Sequence, residues 1–502
     1  MILMALSVVF GLYKDSSSSA EKIELWVDDN PGCEGYSPCY SSIQLAIDAA
    51  PTDGKTFIYI LPGTYRENLT IQSKEIILRG SGAEVTMISA PNPTRPAILV
   101  SDLRELDFGF QDARIENFKI SGGLVGIQIE RAASATVSRN QIIMTGGAGL
   151  KIISSTRVHI EGNEFQGWDS RSPVQWQGLP AAIILSEGLG KVEIEDNYIL
   201  RPNAPGIDIA DGEDVTIRGN YIEGGRGVFV KKANSVSIQH NYIVAQLGIL
   251  VWNPERAKIV QNTIQTFGSL SLGIGIDPQQ GVGGGVIKPL IAHNLISGGG
   301  VGIGVSLTVF SDEKLLPEAC PIIEYNTIQN AEVGIGIYAP PPEEYGRLVK
   351  PTIRYNLLQG NQKGLMAPPY LIPAGITWSQ GGGSQLTVEG NGFEGNVIAV
   401  ELGGRVQADL IGNYIFANTH GVSLGKSQVN FEGNRIIYNR GYGIAIAELC
   451  PGIRMSWEFE EGAYWGGEPE AIEGQDNEIH DNGQDLCPSD YPWPPGFVRE
   501  EG

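Results

Sequence analysis

The chain has 502 residues, 66 of them glycine, with 42% hydrophobic and only 18% charged. That balance excludes a disordered chain and suits many short, buried strands joined by tight turns. The formal charge of −22 argues against nucleic acid as a partner, since polyphosphate is repelled, and an anionic polysaccharide meets the same repulsion unless a cation or local basic site intervenes.

Residues 1–22 open with the apolar run MILMALSVVFGLY and the spacer KDSSSSAEK. The run has the length of a signal-peptide hydrophobic core and is read as a signal or anchor segment. No later stretch reaches the roughly 18 consecutive apolar residues of a membrane span. Residues 23–100 read as an N-terminal cap with the first coils of a repeat. Within them, Cys33 and Cys39 in CEGYSPC have a spacing that closes a small disulfide ring. Residues 41–50, SSIQLAIDAA, predict an amphipathic helix with Ser at its start and Pro51 beyond its end. The strands TFIYILPG, YRENLTI and EIILRG follow. A helix laid over the open end of the first coil shields an exposed sheet edge.

Residues 101–449 carry a repeat. Apolar-x-x-Asn-x-apolar recurs with Asn at 140, 163, 197, 220, 241, 262, 294, 326, 356, 391, 413 and 434. The basic interval is 21 to 23 residues, and intervals of 30 to 35 are the same coil with an insertion. A Gly-apolar-x-apolar element follows, as GIDI at Gly206, GILV at Gly248 and GIGI at Gly273. Both elements alternate with period two, so each is a short strand with one face inward. Coils of this size without helices stack in parallel and align inward Ile, Val and Leu into ladders. The expected fold is an all-β, single right-handed parallel β-helix with a short N-terminal capping helix. The repeated Asn falls at a corner where left-handed backbone is cheap for Asn, and stacked amides hydrogen-bond along the column. Residues 450–502 read as an irregular C-terminal cap bracketed by Cys450 and Cys487. Two disulfides, drawn from Cys33, Cys39, Cys450 and Cys487, and an extracytoplasmic location are expected. The pairing among Cys320, Cys450 and Cys487 stays open at this point.

The run YSSIQLAIDAAPTDGKTFIYILPGTYRENLTI resembles the opening of the pectin-lyase-like right-handed β-helix superfamily. It is especially similar to pectinesterases and to NosD-like periplasmic β-helix proteins. The Gly63-Thr64-Tyr65-Arg66-Glu67 stretch is shared by active and inactive members, so it marks the fold and not the chemistry. The resemblance implies pectinesterase aspartates in a G-x-x-D-F-I-F-G-type segment, and none follows residue 100. The polygalacturonase aspartates with a G-H-G stretch are missing too. Of the epimerase D-P-H signature only Asp277-Pro278-Gln279 is present. Whether the chain is an enzyme is therefore open.

The five histidines, His159, His240, His293, His420 and His480, lie at or near corners and suggest neither catalysis nor metal binding. The acidic turn Asp211, Glu213 and Asp214, with Asp208 nearby, offers oxygen ligands for calcium or is simply a solvated corner. No other cofactor is expected. Five insertions, from Asp277, Leu307, Ala339, Ala367 and Ala447, begin after the Gly-apolar-x-apolar strand or its equivalent. Coils stack in register, so these loops are expected to rise from one side as a wall. They carry Tyr345, Tyr370, Trp378, Trp457, Tyr464 and Trp465. Beside them the outward third residue of the strand is Gly275, Gly304 and Gly336, a bare floor that accepts either the loops or a ligand. Aromatics beside carboxylates suit sugar, because rings stack on apolar sugar faces and carboxylates accept hydroxyl bonds.

Three functions follow, in order. The first is a secreted or surface protein that binds a polysaccharide or cell-surface glycan, or serves as a structural or adhesive rod. The second is a polysaccharide lyase, epimerase or hydrolase acting in the loop-walled groove. The third, implied only by the resemblance, is a NosD-like periplasmic accessory role.

Overall fold

The computed structural model describes residues 22–497 apart from Pro31, Asp53, 102–111, 144–146, 168–180, Asn253, 278–285, 307–317, 339–348, 368–383, Arg405, Glu448 and 454–467. Alternating side chains make each coil three short strands. The first strands of successive coils stack as an 18-stranded sheet that includes the cap strands Ile23–Val27 and Cys39–Tyr40. Second and third strands share a 29-stranded sheet, because in three coils they continue as one bent strand: Tyr198–Ile209, Tyr221–Val230 and Tyr242–Trp252. The result is a right-handed parallel β-helix. Val236 and Ile238 of one first strand register on Ala257 and Ile259 of the next, all at most 6% exposed. This continuous apolar stack is the core.

The repeated asparagines form a buried ladder. Asn220 donates from Nδ2 to Oδ1 of Asn241 at 2.9 Å, Asn241 to Asn262 at 3.0 Å, and Asn262 to Asn294 at 3.0 Å. The backbone N–H of each also donates to the next Oδ1. The ladder runs one coil past the predicted series, to Asn477. The expected place of the left-handed backbone is corrected. It is the exposed residue before the asparagine, such as Arg139 (φ 53°), His240 (φ 55°), Gln261 (φ 56°) or Gly219 (φ 67°). The asparagine itself spends its amide inward, on buried groups that water cannot reach.

A second ladder was missed from sequence. Asn361, Asn396, Asn418, Asn439 and Asn482 stack by the same amide bonds. Each follows a first-ladder asparagine by five residues, so an Asn-x-x-x-x-Asn pair repeated five times was its signal.

The glycine of Gly-apolar-x-apolar stands at the tight bend between second and third strands. A Cβ at Gly248 would lie 2.4 Å from the Gly273 carbonyl oxygen and 2.8 Å from Ile264 Cγ2. Gly248→Ala is expected to destabilise by about 1–3 kcal/mol, because neither backbone nor ladder isoleucine can yield. At Gly392 the nearest atom, Leu357 Cδ1, is 3.4 Å away. Gly392→Ala should therefore change stability by no more than about 0.5 kcal/mol. Equal shifts in thermal midpoint would reject this account of the motif.

The ends are closed differently. At the N-terminus the helix Ile43–Ala49 buries Ile43, Ala46 and Ile47 on the first coils. The Glu67 carboxylate accepts from the Ile43 and Gln44 N–H groups, each at 3.0 Å, and from the Ser42 hydroxyl at 2.8 Å. Tyr65 donates its hydroxyl to the Leu61 carbonyl at 3.0 Å, and the Asp29 carboxylate rests where a Cβ of Gly63 would be. These three residues of the Gly-Thr-Tyr-Arg-Glu stretch thus build the cap. At the other end Phe497 packs edge-on against Phe431 at 5.1 Å and lies over Gly474. Disulfides Cys33–Cys39 and Cys450–Cys487 tie the two caps, and Cys320 is a free thiol.

Candidate functional site

Insertions leave and rejoin the coils at one corner. Third strands Leu272–Asp277, Val301–Ser306, Val333–Tyr338 and Lys363–Ala367 are in register. The returning ends also stack, with Ile287 on Ala319, Ala319 on Val349 and Val349 on Ser384. The insertion residues Tyr345, Tyr370, Trp378, Trp457, Tyr464 and Trp465 lie outside the described residues.

Gly275, Gly304 and Gly336 register on one another as expected and are buried. The space above them is filled by the chain's own side chains. A Cβ at Gly275 would meet Leu272 at 2.6 Å and Leu250 at 2.8 Å, and one at Gly336 would meet the Tyr338 hydroxyl at 2.5 Å. Burial pushes the Tyr338 hydroxyl pKa up to about 12. The column continues through Met366 to the fully buried Glu401, which pairs with Lys363. The glycines thus seat side chains on the third face.

The acidic candidates do not converge. Asp208 pairs with Lys231 at 3.2 Å, Asp211 faces Lys232 at 3.9 Å, and Asp214 registers on Lys191. Glu213 donates its N–H to the Leu189 carbonyl of the preceding coil at 2.9 Å. Among the described residues no three His, Cys, Asp or Glu side chains stand close enough to hold a metal ion. His159 lies between Glu161 (3.2 Å) and Glu193 (3.5 Å). His420 accepts the Tyr442 N–H at Nδ1, and burial lowers its pKa. No described helix is long and apolar enough to cross a membrane.

Among the described residues, surface aromatic rings stack at several places, two of them three rings long on the repeat coils. Tyr198, Tyr221 and Tyr242 have centroids 4.8 and 5.4 Å apart, and His293, Tyr325 and Tyr355 follow at 5.1 and 5.2 Å. Each ring covers its neighbour's face, so these ladders stabilise the stack and offer mainly edges to solvent.

An open trough of about 570 Å³ lies on the outer face of the first strands. It faces outward because Leu386, Val388, Ala408, Leu410, Val429 and Phe431 point inward, leaving the alternate residues outside. One outward column is Gln385, Gln407 and Gln428; Gln385 donates to Gln407 at 2.9 Å and Gln407 to Gln428 at 3.2 Å. The next column is Thr352, Thr387, Asp409, Asn430 and Glu473. Asn430 donates to Asp409 at 3.5 Å. Lys350, at one end, pairs with Glu318 at 2.8 Å, and that contact raises its pKa. Sequence reasoning did not single out these residues. Their signal is a glutamine six positions before the ladder asparagine in three consecutive coils.

The family described as right handed beta helix region matches residues 108–264 and 181–415, together well over half of the chain. A probable pectinesterase/pectinesterase inhibitor of Arabidopsis thaliana is 44% identical over 50 residues, covering 10% of each chain, so this chain spans about a tenth of that relative's length. Among solved structures, the A-module of a mannuronan C-5 epimerase from Azotobacter vinelandii aligns over 88% of this chain and 92% of its own, at 15% identity and TM-score 0.25. Pectin methylesterase from carrot aligns over 68% of this chain and 85% of its own, at 11% identity and TM-score 0.25.

Proposed function

The chain belongs to the family of right-handed β-helix regions, and from that premise we propose that it is a secreted or cell-surface protein that binds a polysaccharide in the first-face trough. The observation that carries this reading is a trough over five consecutive coils in which three stacked glutamines, Gln385, Gln407 and Gln428, run beside a polar column of Thr352, Thr387, Asp409, Asn430 and Glu473. Side-chain amides both donate and accept, which is what sugar hydroxyls require. Two disulfides support an oxidising, extracytoplasmic location. We propose that the rings of Tyr345, Tyr370, Trp378, Trp457, Tyr464 and Trp465, carried on insertions that precede Val349, Ser384 and Glu470 in the sequence, supply the stacking contacts.

The test is polysaccharide retention by the full chain and by a Gln385→Ala, Gln407→Ala, Gln428→Ala variant. These side chains are exposed, so melting is expected to change little while retention falls at least about tenfold, as loss of several hydrogen bonds implies. Retention unaffected by this variant and by Trp378→Ala with Trp465→Ala would sink the trough reading.

A second reading, a hydrolase, draws on Asp409 and Glu473, two carboxylates on either side of Asn430 in the trough. It predicts new reducing ends from a retained polysaccharide, abolished by Asp409→Asn.

A further inference from the structure

We propose that the trough selects a neutral, linear polysaccharide running parallel to the solenoid axis, and that the glutamine column and the two carboxylates set this choice. The inference rests on the trough reading and goes beyond it to substrate class, direction and length. The hydrogen-bonding side chains form two columns along the axis: Thr352, Thr387, Asp409, Asn430 and Glu473 over five coils, and Gln385, Gln407 and Gln428 beside the middle three. Successive coils are about 4.8 Å apart, so the array from Thr352 to Glu473 extends about 19 Å over four steps. A chain laid along it meets a polar side chain of the second column at every step and a glutamine beside it in the three middle coils, whereas a chain laid across it meets only one coil's pair.

The charges decide the class. Asp409 and Glu473 face the trough, and the cation lining it, Lys350, already pairs with Glu318. The remaining polar lining is Thr352, Thr387, Asn430 and the three glutamines, all uncharged. A uronate polymer would bring carboxylates against Asp409 and Glu473 on a protein of formal charge −22. Neutral hydroxyls instead find acceptors in the carboxylates and both partners in the amides. The hydrogen bonds between successive glutamines hold each amide in a fixed orientation, which lowers the entropy lost when a sugar docks.

The experiment titrates the full chain with linear neutral gluco-, xylo- and manno-oligosaccharides of increasing length, and with galacturonate and mannuronate oligosaccharides, at low and high salt. Neutral chains are expected to bind, tightening with length until they outgrow about 19 Å and then levelling off. Gln407→Ala is expected to weaken that binding up to about tenfold with melting unchanged. Asp409→Asn with Glu473→Gln should raise uronate binding relative to neutral binding. If uronates bind the unaltered chain better and Gln407→Ala weakens them, the neutral class is overturned while the trough reading stands. If affinity ignores length beyond the shortest oligomers, the axial direction is overturned. If no oligosaccharide of either class binds, the trough reading itself falls.

Discussion

Asn262→Ala is expected to lower the unfolding free energy by about 3–5 kcal/mol, far more than a surface amide would. The Asn262 side chain is 1% exposed and makes bonds in both directions along the ladder. Its Oδ1 accepts from the backbone N–H and the Nδ2 of Asn241, both at 3.0 Å. Its Nδ2 donates to Asn294 Oδ1 and the Ile238 carbonyl at 3.0 Å, and to the Val260 carbonyl at 3.1 Å. Alanine leaves the Asn241 N–H and the Ile238 carbonyl without these partners in a dry stack, each worth about 1–3 kcal/mol when orphaned. The preceding residue supplies the control. Gln261 is exposed and holds φ 56°, a conformation that glycine adopts without strain and that Gly219 and Gly412 adopt at the same corner. Gln261→Gly should be neutral or stabilising by up to about 1 kcal/mol. Denaturant melts of the two variants check the pair. Similar losses from both would mean that the corner geometry, and not the buried amide, carries the stability.

That contrast also explains what could be read from sequence. Inward positions have little freedom: a ladder position accepts an amide, a strand interior accepts Ile, Val or Leu, and the bend at Gly248 accepts no Cβ. Those constraints recur every coil, so the fold, the first Asn ladder and the insertion corner were legible. The left-handed residue was misplaced because its side chain is in solvent, and Arg139, His240, Gln261, Tyr325 and Gly390 all serve there. The stacking of Gly275, Gly304 and Gly336 was legible, but its occupant was not. Leu272 and Tyr338 reach over it from neighbouring positions of their own strands, a matter of side-chain direction that a repeat pattern does not encode. The trough was hidden for a related reason. Its residues point outward, where packing imposes no identity, so Gln385, Gln407 and Gln428 acquire meaning only once the register sets them side by side.

Ile238→Asp is expected to be the most damaging of the substitutions, at about 5 kcal/mol or more at neutral pH, enough to unfold the array locally or entirely. Ile238 is 0% exposed and registers on Ile217 and Ile259, both also 0% exposed. The change removes a buried aliphatic side chain, worth about 1.5–3 kcal/mol. It then places a carboxyl where neighbouring backbone groups are already paired within the sheet. Burial raises the carboxyl's folded-state pKa above its unfolded value of about 3.9. Below that unfolded value both states hold the proton, and ionisation adds no penalty. As pH rises from there toward the folded pKa, only the unfolded state releases its proton, so stability falls by about 1.4 kcal/mol per unit. The variant should therefore lie closest to the parent near pH 3 to 4 and furthest at neutral pH. Asp208→Ser is the outward comparison. That carboxylate is 15% exposed and pairs with Lys231, itself 40% exposed. Screening by solvent keeps the expected loss to about 1 kcal/mol or less. Thermal melts of both variants at acid and neutral pH decide the matter: a loss at Ile238 that did not grow with pH would show that water reaches the interior of the coil.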